Sequence, residues 1–544
     1  MTPTLALAMC VVIDGAGVRA DLSRPTLSGE ERVHLSADGR LRVHYTLAGG
    51  DAVGAADADP ANGVPDTVDW AEQGAARMLD VFVGEDGWPM PPGDEGLGGD
   101  DRIDLYLRGL DANGYAHVNT LPSGGLSMWM EVDPAGVGFG KLLFLSIVGH
   151  ETHHLLEFAI SEGGFDGWIA EATATYAQYL LFSGERLADL ARGALWALRL
   201  AGAARALDDE DGQFAYAGMV WVKYLVDRGG GERLRLLELW QHLARENGWE
   251  RGHDAYTRAR LGLSLDEAAA DYAVWNWFAC GNDDGHHYDE ATAGCGLPIR
   301  MTATEVAAVP AGGDSESLGA RGSAYVAIAP DCASGDLRLR VRPTASMRLS
   351  VIGEQSHAAS PVQSVEAPAS VETVVDVHGW NQYERVVLAG TNTGGAPATF
   401  HWAAEVSGTY TPPASLPPAA RLNATPANVT VDTGASEAMA VRADFGTCED
   451  GRDVSSQVTW SSSDAAIAVA SGGSVEGLRP GTAMLTATLD GVASNPVTVT
   501  VIEAAGSGGC ATGGGPGSGA LGVAAVCLAW VLWRLTRRNI GPTN

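Results

Sequence analysis

Three histidines and a glutamate crowd into GHETHHLLEF, residues 149–158, directly after the apolar run LLFLSIV. On a helix, residues four apart stand one above the other, so His150 and His154 can both turn an imidazole nitrogen toward one metal ion. Glu151, one position along, then points to the rim of the site, where it can take a proton from water and deliver it to a leaving amine. His150 with His153 is the rival pair. It is the poorer one, because HExxH keeps the base in a recognised constellation and HExH has no comparable precedent. His153 is then a residue of the helix surface or a support for the ligands. A structural cluster of satisfied histidines is the bland alternative; against it, burying these groups beside LLFLSIV is costly without a function or a partner.

A catalytic zinc ion takes three protein ligands and keeps one position open, so a third ligand must come from elsewhere in the chain. Glu171 in GWIAEATATYAQYL is the best candidate, and a helical hairpin across SEGGFDG can return it to the first helix. A reacting carbonyl needs a further donor for its developing negative charge. Tyr216 in QFAYAGMVWVKYL stands first for that role, with Tyr176 and His253 behind it. Upstream, DADPANGVPDTVD places Asp57, Asp59, Asn62, Asp66 and Asp69 around a glycine, the oxygen-rich pattern of a calcium loop. Counting back from Asp69 keeps Asp66 and Asn62 in register but displaces Asp57 and Asp59, so a plain acidic turn is the competing reading. His286 and His287 in GNDDGHHYDE read as a solvated loop.

The elements that must hold these residues follow from periodicity. ERVHLSADGRLRVHYTL alternates apolar and polar residues and predicts a β-hairpin around Asp38-Gly39. DTVDWAEQGAARMLDVFV predicts an amphipathic helix, DRIDLYLRGL and LSMWMEV predict strands, and KLLFLSIVGHETHHLLEFAI a buried helix. LSMWMEV is the candidate edge strand for pairing with an extended substrate backbone. WIAEATATYAQYLLF starts a helical stretch that runs to about Phe278. This order predicts an α+β domain with a helical C-terminal subdomain over residues 21–298.

Beyond Cys295 the texture changes to short strands separated by Gly, Pro and Ser, as in a β-sandwich, over 299–408. A Pro-rich linker at 409–420 precedes a second all-β stretch at 421–503. A Gly-rich segment at 504–519, containing Cys510, leads into an apolar run and basic tail at 520–544 that is just long enough to span a bilayer. The first 20 residues have an apolar centre without a basic start and read as an atypical signal peptide, with a lipoprotein site at Cys10 as the weaker option.

Bulk composition agrees with an exported multidomain protein. A chain of 544 residues exceeds one ordinary core, and 46% hydrophobic with 19% charged residues is a globular balance. A net charge of -32 repels phosphate backbones and anionic membrane surfaces and so argues against nucleic-acid binding. Seven cysteines without a CxxC pair disfavour zinc ribbons and dithiol redox chemistry. Cys280 and Cys295 bracket a short loop that a disulfide could close, whereas Cys332 and Cys448 have no obvious partner except each other.

Two helices reading HExxH and then Trp-x-x-Glu-Ala resemble the gluzincin metallopeptidases, and more closely a group of secreted bacterial metalloproteases. The likeness takes in the acidic loop, DRIDLYLRGL and YAVWNWF, and spans most of residues 40–290. It implies a zincin-like fold, Zn²⁺ on His150, His154 and Glu171, Glu151 as general base and acid, and hydrolysis of a protein or peptide substrate. One departure stands out: many gluzincins carry Asp four residues after the third ligand, and Thr175 occupies that place, which puts the orientation of a histidine in question. VTWSSSDAAIAVASGGSVEGLRPGTAMLTATLDG resembles the bacterial Ig-like domains of group 2 and implies a stalk or adhesion module. Cysteine motif, apolar helix and basic cluster resemble myxobacterial-type C-terminal sorting tails. That likeness implies display at the cell envelope, contact with the membrane until processing near Cys510, and release afterwards as one outcome. A monomer is expected. The rival function is a non-catalytic surface adhesin or scaffold that retains the fold.

Overall fold

In the computed structural model, residues 22–503 are described, apart from 162–165, 185, 247, 290–293, 331–334, 355–359, 361, 409–418 and 446–449. The leader with Cys10, both Cys332 and Cys448, most of the Pro-rich linker, Cys510 and the terminal apolar run lie outside the described residues. Among the described residues no helix is long and apolar enough to cross a membrane. The chain is multidomain, an α+β part followed by a β-rich part, and it divides into two compact units, 1–420 with 443–452 and 421–442 with 453–544.

The first unit begins with the hairpin that alternation predicts. β1 (Glu31–Leu35) pairs antiparallel with β2 (Leu41–Thr46), Glu31 opposite Thr46. Gly39 turns it at φ +78°, a conformation a side chain would resist, and Asp38 accepts from Ser36 Oγ and the Arg40 N–H. α1 (Asp66–Leu79) follows, then β3 (Ile103–Leu107), β4 (Gly114–Thr120) and β5 (Leu126–Val132). The sheet runs β1-β2-β3-β5-β4, parallel through β2, β3 and β5 and antiparallel at both edges.

LSMWMEV is therefore not the edge strand expected of it: β5 lies inside the sheet, and β4, GYAHVNT, takes the edge. β4 alternates Gly114, Ala116 and Val118 with Tyr115, His117 and Asn119, but its apolar positions are few and mostly small, a weak signal for a strand. It is the β4–β5 pairing, from Gly114 opposite Val132 to Thr120 opposite Leu126, that defines it.

One face of the sheet, with Leu41, Val43, Leu105, Met128 and Met130, shares a core with α1 and with α2 (Lys141–Ser161). α2 is buried on every side from Phe144 to Phe158, its histidines and glutamates included. α3 (Gly167–Leu181) returns beside it, and Thr152 Oγ1 reaches Met130 Sδ of β5 at 3.6 Å. The helical stretch continues as predicted through α4 (Arg186–Ala201), α5 (Gln213–Ala217), α6 (Met219–Arg228), α7 (Arg235–Glu246), α8 (Trp249–Arg260) and α9 (Leu265–Trp277). Cys280 and Cys295 are joined after α9, with Cα atoms 5.4 Å apart.

Nine strands then form a two-sheet sandwich: β6 (Thr304–Val306), β7 (Ala311–Asp314), β8 (Ser323–Ile328), β9 (Asp336–Pro343), β10 (Met347–Glu354), β11 (Val362–Ala367), β12 (Thr373–Val377), β13 (Arg385–Asn392) and β14 (Phe400–Ser407). Their orders are β11-β10-β13-β8-β6 and β12-β9-β14-β7. The sandwich has its own core, and the outer face of one of its sheets packs on the helical core. Val326, Ile328, Val386 and Leu388 point into the sandwich, while their alternate neighbours Tyr325, Ala327, Val387 and Ala389 join the helical core, and Tyr325 donates to the Ala273 carbonyl at 2.9 Å. Strands buried on both faces read as unbroken apolar runs, and SAYVAI and RVVLAG are of that kind.

Among the described residues the second unit consists of strands and their connections. Asn428–Asp432 lies parallel to Val497–Ile502, which pairs antiparallel with Gly481–Leu489, and a smaller sheet joins Ser436–Ala438, Ser474–Gly477 and Ala468–Ser471.

Candidate metal centre

α2 and α3 bring His150, His154 and Glu171 together in the core. His150 Nε2 lies 3.1 Å from His154 Nε2, and Glu171 Oε2 lies 3.2 Å from the first and 3.8 Å from the second. The i, i+4 spacing stacks the histidines, and a return across 162–166 places Glu171 opposite them.

Neighbours decide where the imidazole protons sit. Gln178 Nε2 donates to Ser146 Oγ at 3.0 Å, and that hydroxyl donates to the Leu143 carbonyl at 2.7 Å. This fixes the amide so that Gln178 Oε1 faces His150 Nδ1 at 3.2 Å. Glu157 Oε2 lies 2.8 Å from His154 Nδ1. Both Nδ1 atoms thus meet acceptors, and both Nε2 atoms are turned toward each other and toward a carboxylate oxygen.

Three ligand atoms this close can share one cation. Around a tetrahedral ion with bonds of about 2.0–2.1 Å, donors stand about 3.3–3.4 Å apart, and the triangle here has nearly that size. Glu171 Oε1 and both Glu151 oxygens are buried without hydrogen-bond partners, as groups awaiting an ion and a substrate would be. The residues fit a divalent metal ion.

Electrostatics follow burial. Removal from water pushes the Glu151 carboxyl up to about 8, with Glu171 and Glu157 adding repulsion and His154 opposing. Burial likewise raises Glu157, to about 7, against the pull of His154 and Thr173. At Glu171 burial is outweighed by hydrogen bonds from the two histidines, and its pKa falls. Burial lowers His150 and, more strongly, His153; at His154 the carboxylate of Glu157 overcomes it, and the pKa rises well above the usual value.

Two expectations from spacing need correction. Glu151 is not at an open rim: it is fully buried, under the first residue of β4. A Cβ on Gly114 would stand 2.7 Å from Glu151 Cγ and Oε1, so only glycine leaves room there. His153 is not on the helix surface. It is enclosed by Phe82 and Trp88, with ring centroids at 4.8 and 5.0 Å, and its Nε2 is 3.4 Å from Glu157 Oε1.

Thr175, in the place where an Asp was sought, is buried with its hydroxyl unpartnered and supports neither histidine. Gln178 and Glu157 do so instead. Glu157 also accepts from Thr173 Oγ1 at 2.5 Å, joining α2 to the helix that carries Glu171. Spacing held a signal for both: Glu157 is three residues beyond His154 and Gln178 seven beyond Glu171.

Tyr216 on α5 does come to the centre, buried, with its ring stacked 6.0 Å from that of His150. His253 does not: it stacks on Trp168 and bonds the Trp249 carbonyl at 2.8 Å. Tyr176 is buried in α3. His287 packs on Phe278 and bonds Asp284 at 2.9 Å, so of the loop pair only His286 is exposed.

The acidic loop uses its oxygens on itself. Asp57 accepts from the N–H groups of Asn62 and Gly63, Asp66 from those of Ala58 and Asp59, and Asp59 pairs with Lys141 Nζ at 2.7 Å. The five residues named for calcium do not share one centre among the described groups; Asp69 converges instead with His34 and Glu72.

No family model matches the chain, and no curated protein does. Among solved structures it is similar to tripeptidyl peptidase 2 (TPP II), at 10% identity over 27% of this chain and 13% of that one, TM-score 0.16. It is also similar to a β-1,2-glucanase from Parabacteroides distasonis, at 14% identity over 33% and 30%, TM-score 0.11. A third is the N-terminal domain of the Streptococcus gordonii adhesin Sgo0707, at 11% identity over 31% and 56%, TM-score 0.11. Each match covers less than two-thirds of the other chain, and at these TM-scores none bears on fold or chemistry.

Proposed function

We propose that the chain is a zinc-dependent metalloendopeptidase of gluzincin type, exported to the cell envelope and displayed through its β-rich part. The carrying observation is the pair of Nε2 atoms facing each other and Glu171, beside a buried, unpartnered Glu151. His150, His154 and Glu171 would hold the ion, which when bound supplies Lewis acidity toward a carbonyl and lowers the pKa of water. Glu151, kept from water, takes a proton from the attacking water and passes it to the leaving amine. Tyr216, beside His150, is the donor assigned to the developing negative charge on the carbonyl oxygen. Substrate backbone would pair with the edge of β4, where Gly114 adjoins Glu151. Calcium in the acidic loop, the Ig-like character of 421–503 and sorting at Cys510 belong to the same proposal.

The test measures zinc per full-length chain and cleavage of a peptide library, with Glu151→Gln beside the wild type. One buried zinc equivalent at His150, His154 and Glu171 is expected, kept in the variant, with kcat/KM lower by about 10²–10⁴-fold. A chain that takes up no stoichiometric zinc, or a variant that cleaves as well as wild type, sinks the reading in favour of an adhesin or scaffold.

A further inference from the structure

A second group of ligand atoms converges between the first strand and the first helix. His34 on β1 and Asp69 and Glu72 on α1 each bring a donor atom to within 4.8 Å of the other two, and His34 Nε2 is 2.6 Å from Glu72 Oε2. Asp69 and Glu72 are three apart and share a helix face.

Asp69 distinguishes this group from a surface ion pair. It is 6% exposed, its Oδ1 accepts from the Asn62 amide at 3.2 Å, and its Oδ2 is buried without a partner. Leaving such an oxygen unsatisfied costs about 1–3 kcal/mol or more. Burial, with Glu72 and Asp57 close by, raises the Asp69 carboxyl above its ordinary range despite the Asn62 amide and His34. Among the described residues, no lysine or arginine forms an ion pair with Asp69 or Glu72; Glu72 pairs with His34.

We propose that His34, Asp69 and Glu72 form a second divalent-cation site, which takes a first-row transition ion and clamps β1 to α1. An imidazole with two carboxylates suits zinc or manganese, whereas calcium prefers oxygen ligands throughout. His34 and Glu72 have side chains 21% and 24% exposed, so an ion can enter and keep water in its remaining positions. The strand needs such a clamp. β1 is a sheet edge, and four of its five residues are exposed, His34 being the exception. An ion there would fix the hairpin to the helix that packs directly on α2.

The proposal does not depend on the peptidase reading, and the experiment separates the two. Full-length chain, stripped of metal and dialysed against buffered Zn²⁺, is assayed for metal per chain as wild type, His150→Ala/His154→Ala and Glu72→Gln. Two equivalents are expected in the wild type and one in each variant, with the ion retained by the double variant raising its Tm. A folded double variant without zinc overturns the second site. Should the double variant not fold, Glu72→Gln decides alone: losing one of two equivalents supports the site, and an unchanged metal content overturns it.

Discussion

His150 and His154 each have a neighbour that turns the ring: Gln178, itself held by Ser146, for the first, and Glu157, held by Thr173, for the second. Around His34, Asp69 and Glu72 the one comparable support is the Asn62 amide on Asp69. Residue types are nearly the same in the two clusters, yet their surroundings set different chemistry. Enclosure makes each charge in the first cluster depend on its neighbours, which suits a group that must change protonation during a reaction. The second, half open to water, can bind an ion but has little to tune it with, which suits a clamp.

The comparison can be broken first at Glu151. Its carboxyl is raised to about 8 in the folded protein against 4.5 as its ordinary value. The folded state therefore binds this proton more tightly, and the stabilising protonated form is lost as pH climbs from about 4.5 to about 8. Metal-free wild type is expected to lose stability across that window relative to Glu151→Gln, by an amount on the order of a few kcal/mol. Denaturant melts of both proteins at several pH values measure it, and parallel stability curves would show that burial does not control this carboxyl.

A smaller effect is expected at Glu157. Glu157→Gln keeps the shape but removes the carboxylate from His154, and zinc affinity should fall by about 10–100-fold. Competition with a chelator reads this without any substrate. Thr175→Ala, changing a residue that supports neither histidine, should leave the affinity unaltered. Equal effects of the two would mean that Glu157 acts by packing.

The smallest effect belongs to the pair at the open cluster. In metal-free protein, Glu72→Gln should cost no more than about 1 kcal/mol in a denaturant melt, since part-exposed ion pairs contribute little. A larger loss would mean that the His34–Glu72 contact holds β1 without an ion.

Legibility differed between the same regions. HExxH and Glu171 are separated by one helical hairpin, and a helix converts spacing directly into direction, so this geometry could be read from residue order. Glu157 escaped because a glutamate in HHLLEFAI reads as a surface charge until α3 is seen to cover it. The acidic loop was less legible, because loop spacing does not determine where a carboxylate points, and the oxygens of Asp57 and Asp66 meet backbone N–H groups. β4 alternates over few and mostly small apolar residues, and its place at the edge depends on pairing with β5.

By itself, then, the residue order determined the helices, the hairpin, the β-rich second half and the three donors that short-range helical geometry brings together. Tertiary structure alone decided that His153 and Glu151 are enclosed, that Gln178 and Glu157 orient the rings, and that Asp69 meets His34 across a strand and a helix. Burial and partner choice are properties of chain segments distant in sequence, and no local spacing encodes them.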